Sequence, residues 1–174
     1  MKKIVVVSCT NRPNSNTLKV SKIYAEILKS KQMDAQILDF CDLPVNIAFS
    51  ETFGKRSDSY TKLIADFVSP VTRFVFIVPE YNGSFPGILK IFLDSMPTKE
   101  WNGKYACLVG IADGRAGNLR GLEHLTGILQ YLKMHVYHDK LPISIVNKVM
   151  DVDGSFSEAQ MKACLNQIDG FLQF

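Results

Sequence analysis

The stretch Thr72-Arg73-Phe74-Val75-Phe76-Ile77-Val78 runs directly into Pro79-Glu80-Tyr81-Asn82-Gly83-Ser84-Phe85-Pro86-Gly87 and then into Ile88-Leu89-Lys90-Ile91-Phe92-Leu93-Asp94-Ser95-Met96. Apart from Arg73, the first segment is β-branched and aromatic without polar alternation, which predicts a strand over Thr72 to Val78 buried on both faces. In the last segment Ile88, Leu89, Phe92, Leu93 and Met96 recur at helical spacing. A helix can begin at Pro86, because the N–H that proline lacks has no partner in a first turn. An apolar strand, a loop and an amphipathic helix, in that order, form the repeating unit of a parallel sheet covered on both faces.

Outward from this stretch the unit recurs. Lys3 to Ser8 is a continuous apolar strand, and Val20, Ile23, Tyr24, Ile27 and Leu28 follow at helical spacing. A second strand fits Ala35 to Phe40. After it come an irregular stretch with Pro44 and Gly54 and a helix with Tyr60, Leu63, Ile64, Phe67 and Val68 on its apolar face. Tyr105 to Ile111 reads as the fourth strand, Leu122, Leu125, Leu129 and Leu132 as the next helical face, and Leu141 to Val146 as a fifth strand that Pro142 assigns to an edge. The last helix opens where Ser157 and Gln160 stand in capping-box spacing, and it buries Met161, Cys164, Leu165, Ile168 and Leu172. With no internal repeat and no linker, residues 1–174 are expected to form one domain, with right-handed crossovers between parallel strands.

Composition narrows the function classes. Of 174 residues 47% are apolar and 21% charged, which excludes disorder. The longest apolar runs fall far short of the roughly 20 residues a membrane span needs. Met1-Lys2-Lys3 followed at once by a β-branched run does not suit a signal peptide, so a cytoplasmic protein is expected. Cys9, Cys41, Cys107 and Cys164 form no C-x-x-C pair, which points to reduced thiols rather than a zinc ribbon or redox dithiol. The net charge is +3, but Lys and Arg are interspersed with acids and form no basic block, so nucleic acid is not expected as a partner.

In open parallel sheets ligands sit beyond the carboxyl ends of the strands, where strand order reverses. That selects the loops Cys9 to Thr17, Pro79 to Phe85 and Ala112 to Asn118. In loop one, Thr10, Arg12, Ser15, Asn16 and Thr17 stand at a helix N-terminus, whose free N–H groups attract anions. With neither G-x-x-x-x-G-K-[ST] nor a glycine of its own, the loop suits a monophosphate rather than a triphosphate or dinucleotide. It can equally be read as a plain N-cap at Ser15 or Asn14 with Arg12 in solvent. Loop two offers backbone N–H groups without strand partners to a flat heterocycle, with Tyr81 and Phe85 as apolar surface, or else a rigid turn tipped by Asn82-Gly83. Loop three, with Asp113, Gly114 and Arg115, permits close backbone approach, though Asp113 can be a turn residue and Arg115 a solvent-facing charge.

Pro79-Glu80-Tyr81-Asn82-Gly83-Ser84-Phe85-Pro86-Gly87-Ile88-Leu89-Lys90 resembles the P-E-Y-N-x-S-x-P-G-x-L-K signature of NADPH-dependent FMN reductases and the related quinone, azo and chromate reductases. Cys9-Thr10-Asn11-Arg12-Pro13-Asn14-Ser15 resembles that family's G-S-x-R-x-x-S, with Cys9 for the glycine and Thr10 for the first serine. Ile91 and Ser95 replace the family's usual Asn and aromatic, positions expected to affect subunit packing rather than flavin chemistry. The resemblance implies a flavodoxin-like three-layer sandwich with a five-stranded sheet in the order 2-1-3-4-5. It also implies FMN as cofactor and NADPH or NADH as co-substrate, with a quinone, azo dye, nitro compound, free flavin or metal oxyanion as small-molecule acceptor. Loop one would take the phosphate; Pro79, Glu80, Tyr81, Asn82 and Gly83, with Asp113, Gly114 and Arg115, would edge the ring. Arg115 is also a candidate for the pyridine nucleotide phosphate. The flavin carries the chemistry, so no side chain is expected to act as a catalytic acid or base. A homodimer or homotetramer is implied too, and Ile91 makes the helix from Pro86 to Met96 apolar on more than one face.

Two rivals stand beside it: a non-enzymatic one-electron carrier of the flavodoxin kind, with the same fold and cofactor, and a flavin-dependent sensor or interaction protein. The basic balance favours the reductase, since a carrier that docks on cationic partners is expected to be acidic. Other signals are weaker. His135 and His138 should point to opposite faces of a strand and share no metal. Asp151-Val152-Asp153-Gly154 resembles a calcium loop but has Lys162 where a glutamate is needed, and reads as a turn. Ser8, Ser15 and Ser84 find no His-Asp partners within the three loops. Trp101 and Phe53 either edge the pocket or simply pack.

Overall fold

The computed structural model describes residues 3–151 and 154–174. The chain runs β1 (Lys3–Ser8), α1 (Asn16–Ser30), β2 (Asp34–Asp39), α2 (Asp58–Phe67), β3 (Arg73–Pro79), α3 (Gly87–Asp94), β4 (Tyr105–Ile111), α4 (Leu119–Tyr131), β5 (His135–Val136), β6 (Leu141–Ile143), α5 (Val146–Val149) and α6 (Glu158–Gln173). All pairings between these strands are parallel, in the order β2-β1-β3-β4, with β5 and then β6 along the outer edge of β4. This is the flavodoxin-like sheet expected from the sequence.

The fifth strand is the correction. Instead of one strand from Leu141 to Val146, two short pieces share the edge, and the chain leaves it after Ile143. Ile145 adopts a left-handed φ of 48° and donates its N–H to Gly114 O at 3.0 Å, and Val146 donates to Ala112 O at 3.0 Å. These bonds turn residues 144–146 away from the ladder and start α5. Pro142 lies on the edge piece, opposite Gly110.

Strand alternation divides the core in two. Ile4, Val6, Val75, Ile77, Cys107 and Val109 meet α1 and α6 through Val20, Tyr24, Ile168 and Phe171. Val5, Val7, Phe74, Phe76, Val78 and Leu108 meet α2, α3 and α4 through Tyr60, Phe92 and Leu125. Full burial of each such side chain stabilises the fold by about 1.5–3 kcal/mol. Inside, Tyr24 OH donates to Gln167 Oε1 at 2.7 Å, and Gln167 Nε2 donates to Leu108 O and Asp139 O, whereas Ser8 Oγ, Trp101 Nε1 and Asn118 Oδ1 are buried without a partner among the described residues.

Trp101 packs, fully buried, edge-on to Phe74 and Phe92, whereas Phe53 is exposed. Ser95 is buried within the subunit and not at its surface, its hydroxyl bonded to Tyr60 OH at 2.5 Å and donating to Phe92 O at 2.7 Å. His135 and His138 each lie against a tyrosine ring, Tyr105 and Tyr137. Cys9, Cys107 and Cys164 are free and buried, and Cys41 is free and exposed. Val152 and Asp153 of the calcium-like tetrad lie outside the described residues, as do Met1 and Lys2. Gly154 donates to Asp151 O at 2.9 Å. Among the described residues no helix is long and apolar enough to cross a membrane.

Candidate functional site

The sheet order reverses between β1 and β3, and the three loops converge there around an open cleft of about 490 Å3. Thr10, Arg12, Ser15, Asn16 and Thr17 line it from loop one, Pro79, Glu80 and Tyr81 from loop two, and Asp113 from loop three. Asn82, Gly83, Gly114 and Arg115 belong to the same loops but stand outside this lining.

Loop one is shaped by local bonds. Asn14 takes a positive φ of 53°, and Ser15 then caps α1, its Oγ accepting from Leu18 N at 3.1 Å. The plain N-cap reading of Ser15 therefore holds as geometry, and it leaves room for an anion. The first N–H groups of α1, on Asn16 and Thr17, have no partner among the described residues, and the positive end of the helix dipole opens on the cleft. Thr10 is buried. Its hydroxyl accepts from Arg12 N at 3.2 Å and is bonded to Tyr81 OH at 2.7 Å, tying loops one and two together. Cys9 causes no strain in the family's glycine position: its φ is not positive, and its side chain is fully buried in the core beside Leu38 and Phe76. Burial raises its thiol pKa well above the ordinary value and keeps it protonated.

The arginines divide into two groups. Arg56 and Arg73 are pinned to backbone carbonyls and lie over aromatic rings. The side chains of Arg12, Arg115 and Arg120 make no hydrogen bond, ion pair or ring contact among the described residues. Of the three, Arg12 lines the cleft.

Loop two departs from expectation. Its N–H groups are mostly paired: Glu80 donates to Ile111 O at 2.8 Å, Tyr81 to Ser84 O at 2.9 Å and Ser84 to Tyr81 O at 3.1 Å. Tyr81 and Ser84 thus form a miniature hairpin, with Asn82 and Gly83 both at positive φ (52° and 78°), as a type I′ turn demands. The N–H groups of Asn82 and Gly83 remain without a partner among the described residues. The close approach of loop three also depends on glycine. A Cβ on Gly110 would stand 2.1 Å from Gly117 O, and Asn118 ties the loop to the end of β3 by donating to Val78 O at 3.0 Å.

Three features escape sequence reading. Asn147 of α5 lines the cleft, donating to Asp113 Oδ1 at 2.8 Å and accepting from Asn16 Nδ2 at 2.9 Å, so loop three, α5 and α1 are clasped together. Ser84 does meet a histidine, one outside the three loops: His124 Nδ1 on α4 lies 2.9 Å from its Oγ. Arg120, one turn earlier on that helix, lies against Gly83, where an added Cβ would come within 2.8 Å of Nη1. The Asn-Gly tip was legible, but partners about 40 residues away on a helix face carry no local signal.

Comparison with known proteins agrees with this architecture. The family described as NADPH-dependent FMN reductase matches residues 2–148. A 2-hydroxy-1,4-benzoquinone reductase from Burkholderia sp is 26% identical over 165 residues, covering 88% of this chain and 87% of the relative. An FMN-dependent NADPH-azoreductase from Staphylococcus aureus is 26% identical over 182 residues, covering 99% and 95%. Among solved structures, the flavoenzyme FerB, an NAD(P)H:(acceptor) oxidoreductase from Paracoccus denitrificans, superposes with a TM-score of 0.81 at 22% identity, covering 99% and 96%. A family match over this much of the chain shows that the chain belongs to the NADPH-dependent FMN reductase family.

Proposed function

We propose that the chain holds FMN in the cleft between loops one, two and three and passes electrons from NAD(P)H to a small acceptor of the quinone class. The observation that carries this reading is the open N-terminus of α1, where unpartnered N–H groups on Asn16 and Thr17 stand beside the unpaired guanidinium of Arg12. That donor set suits a phosphate dianion, and the cleft is within the usual size of a cofactor pocket. Bound FMN supplies the redox chemistry, by which NAD(P)H, a proton and a quinone become NAD(P)+ and a hydroquinone.

The protein's part is to bind, orient and exclude. Arg12 and the start of α1 would anchor the phosphate. The Thr10–Tyr81 bond holds the aromatic ring of loop two in place, and the Asp113–Asn147–Asn16 clasp keeps the opposite wall at a fixed distance. The free N–H groups of Asn82 and Gly83 would meet the polar edge of the ring, and the small residues of the turn would leave one face clear for donor and acceptor in alternation. The benzoquinone and azo acceptors of the relatives support a planar, conjugated acceptor. We assign the working form to a homodimer, supported by the exposed Tyr131 and the groove between α3 and α4.

Steady-state turnover with NADPH and 1,4-benzoquinone tests the reading. Parallel double-reciprocal lines are expected, as alternating access to one face requires. No turnover by an FMN-loaded protein would overturn it. Light scattering should give twice the 19.5 kDa chain mass.

A further inference from the structure

One wall of the cleft is a chain of side-chain hydrogen bonds. Asn147 of α5 donates through Nδ2 to Asp113 Oδ1 at 2.8 Å and accepts through Oδ1 from Asn16 Nδ2 at 2.9 Å, and all three residues line the cleft. A carboxylate only accepts, so Asp113 dictates which end of the Asn147 amide faces it, and that amide in turn dictates the orientation of Asn16. The chain of bonds therefore has a fixed polarity. It leaves Asp113 Oδ2 and Asn16 Oδ1 as acceptors without a partner among the described residues. Around Arg12 and the first N–H groups of α1 the cleft instead presents donors. Asn16 belongs to both regions, its N–H to the donors and its side chain to the acceptors. The place of α5 does not depend on these side chains. Ile145 donates its N–H to Gly114 O and Val146 donates to Ala112 O, both at 3.0 Å, so the backbone holds α5 on either side of Asp113.

We propose that Asn147 is a positioning residue that sets Asp113 and Asn16 as a pair of acceptors for the hydroxyls of the ribityl chain, so that the cleft selects a flavin by its polyol. This rests on the reading of the cleft as the flavin site. In FMN the ribityl chain is the group bonded to the phosphate, so a phosphate at the start of α1 brings its hydroxyls beside Asn16. A hydroxyl can donate to either free oxygen, and its bond to the Asp113 carboxylate is charge-assisted. A second phosphate at this wall would meet acceptors alone and be repelled by Asp113, so the wall favours an uncharged polyol.

The test is titration of the apo-protein with riboflavin and with lumiflavin, which carries a methyl group where riboflavin carries the ribityl chain, followed by flavin fluorescence. Riboflavin should bind at least about tenfold more tightly, the equivalent of one hydrogen bond to a charged group. In Asn147→Ala that ratio should fall to within about threefold while lumiflavin affinity is kept, and Asp113→Ala should lower it as far. Asn147→Asp alone sets two carboxylates against each other and should lower it too. Combined with Asp113→Asn, the same change lets an amide at position 113 donate to a carboxylate at position 147, restores both bonds and should recover part of the ratio. A ratio unmoved by Asn147→Ala, or equal losses for riboflavin and lumiflavin, overturns the positioning role while leaving the flavin reading intact. A protein that takes up neither FMN nor the other two flavins overturns the flavin reading, and the positioning role with it.

Discussion

Arg12→Ala should separate phosphate binding from everything else the cleft does. The Arg12 side chain has no partner among the described residues, so its removal breaks no contact of the fold, and a surface change of that kind alters stability by no more than about 0.5 kcal/mol. Against a phosphate dianion the loss is larger. A hydrogen bond to a charged group contributes about 1.5–3 kcal/mol, and each 1.4 kcal/mol is tenfold in affinity, so FMN binding should weaken roughly 10- to 100-fold. Riboflavin has the same ring but no phosphate, and its affinity should change less than about threefold. The assay is quenching of flavin fluorescence on titration into apo-protein, with the melting temperature of the variant measured alongside. Equal losses for FMN and riboflavin in a normally folded variant would refute the assignment of Arg12 to the phosphate.

Gly110→Ala should destabilise the fold by about 1–3 kcal/mol, measured by urea unfolding, because its Cβ would meet Gly117 O at 2.1 Å; an unchanged midpoint would show that loop three yields freely. Stability should fall above pH 9. Burial raises the pKa values of Cys9, Cys107 and Cys164 above the ordinary thiol value of 9.0, so the folded state keeps protons that the unfolded chain loses. Each fully protonated buried thiol adds a slope of up to about 1.4 kcal/mol per pH unit. Lys104, whose pKa burial lowers from 10.5, acts with the opposite sign and offsets part of one such slope. Replacing the three buried thiols by alanine should flatten the profile above pH 9 in denaturation curves, and an unaltered profile would count against the thiols as its source.

Much of the fold is legible because the inner strands are apolar on both faces. Lys3–Ser8 and Tyr105–Ile111 run between the residues their apolar runs mark. The edge position is not legible in this way. With a neighbour on one side only, residues 135–143 need no continuous apolar run, and backbone bonds to Gly114 and Ala112, some 30 residues back, decide where the chain leaves the sheet. The same division holds at the cleft. Loops one and two announce themselves through residue types that cap helices and turn chains. Asn147 stands just past a tract that reads as strand, while Arg120 and His124 fall on a helix whose outward face is defined only once it packs. The pairing of N–H groups inside loop two follows from the twist of a two-residue hairpin, which Asn82-Gly83 signals but which a strand-and-loop reading leaves open.

Reduction of the bound flavin by hydride transfer, rather than one-electron carriage, is decided by the visible spectrum of the FMN-loaded protein recorded while NADPH is added without oxygen. Loss of the flavin band with one equivalent of NADPH, without the long-wavelength absorption of a half-reduced flavin, is the predicted result. A flavin that stays oxidised with both NADPH and NADH, yet accumulates the half-reduced form under photoreduction, would contradict hydride transfer and establish an electron carrier.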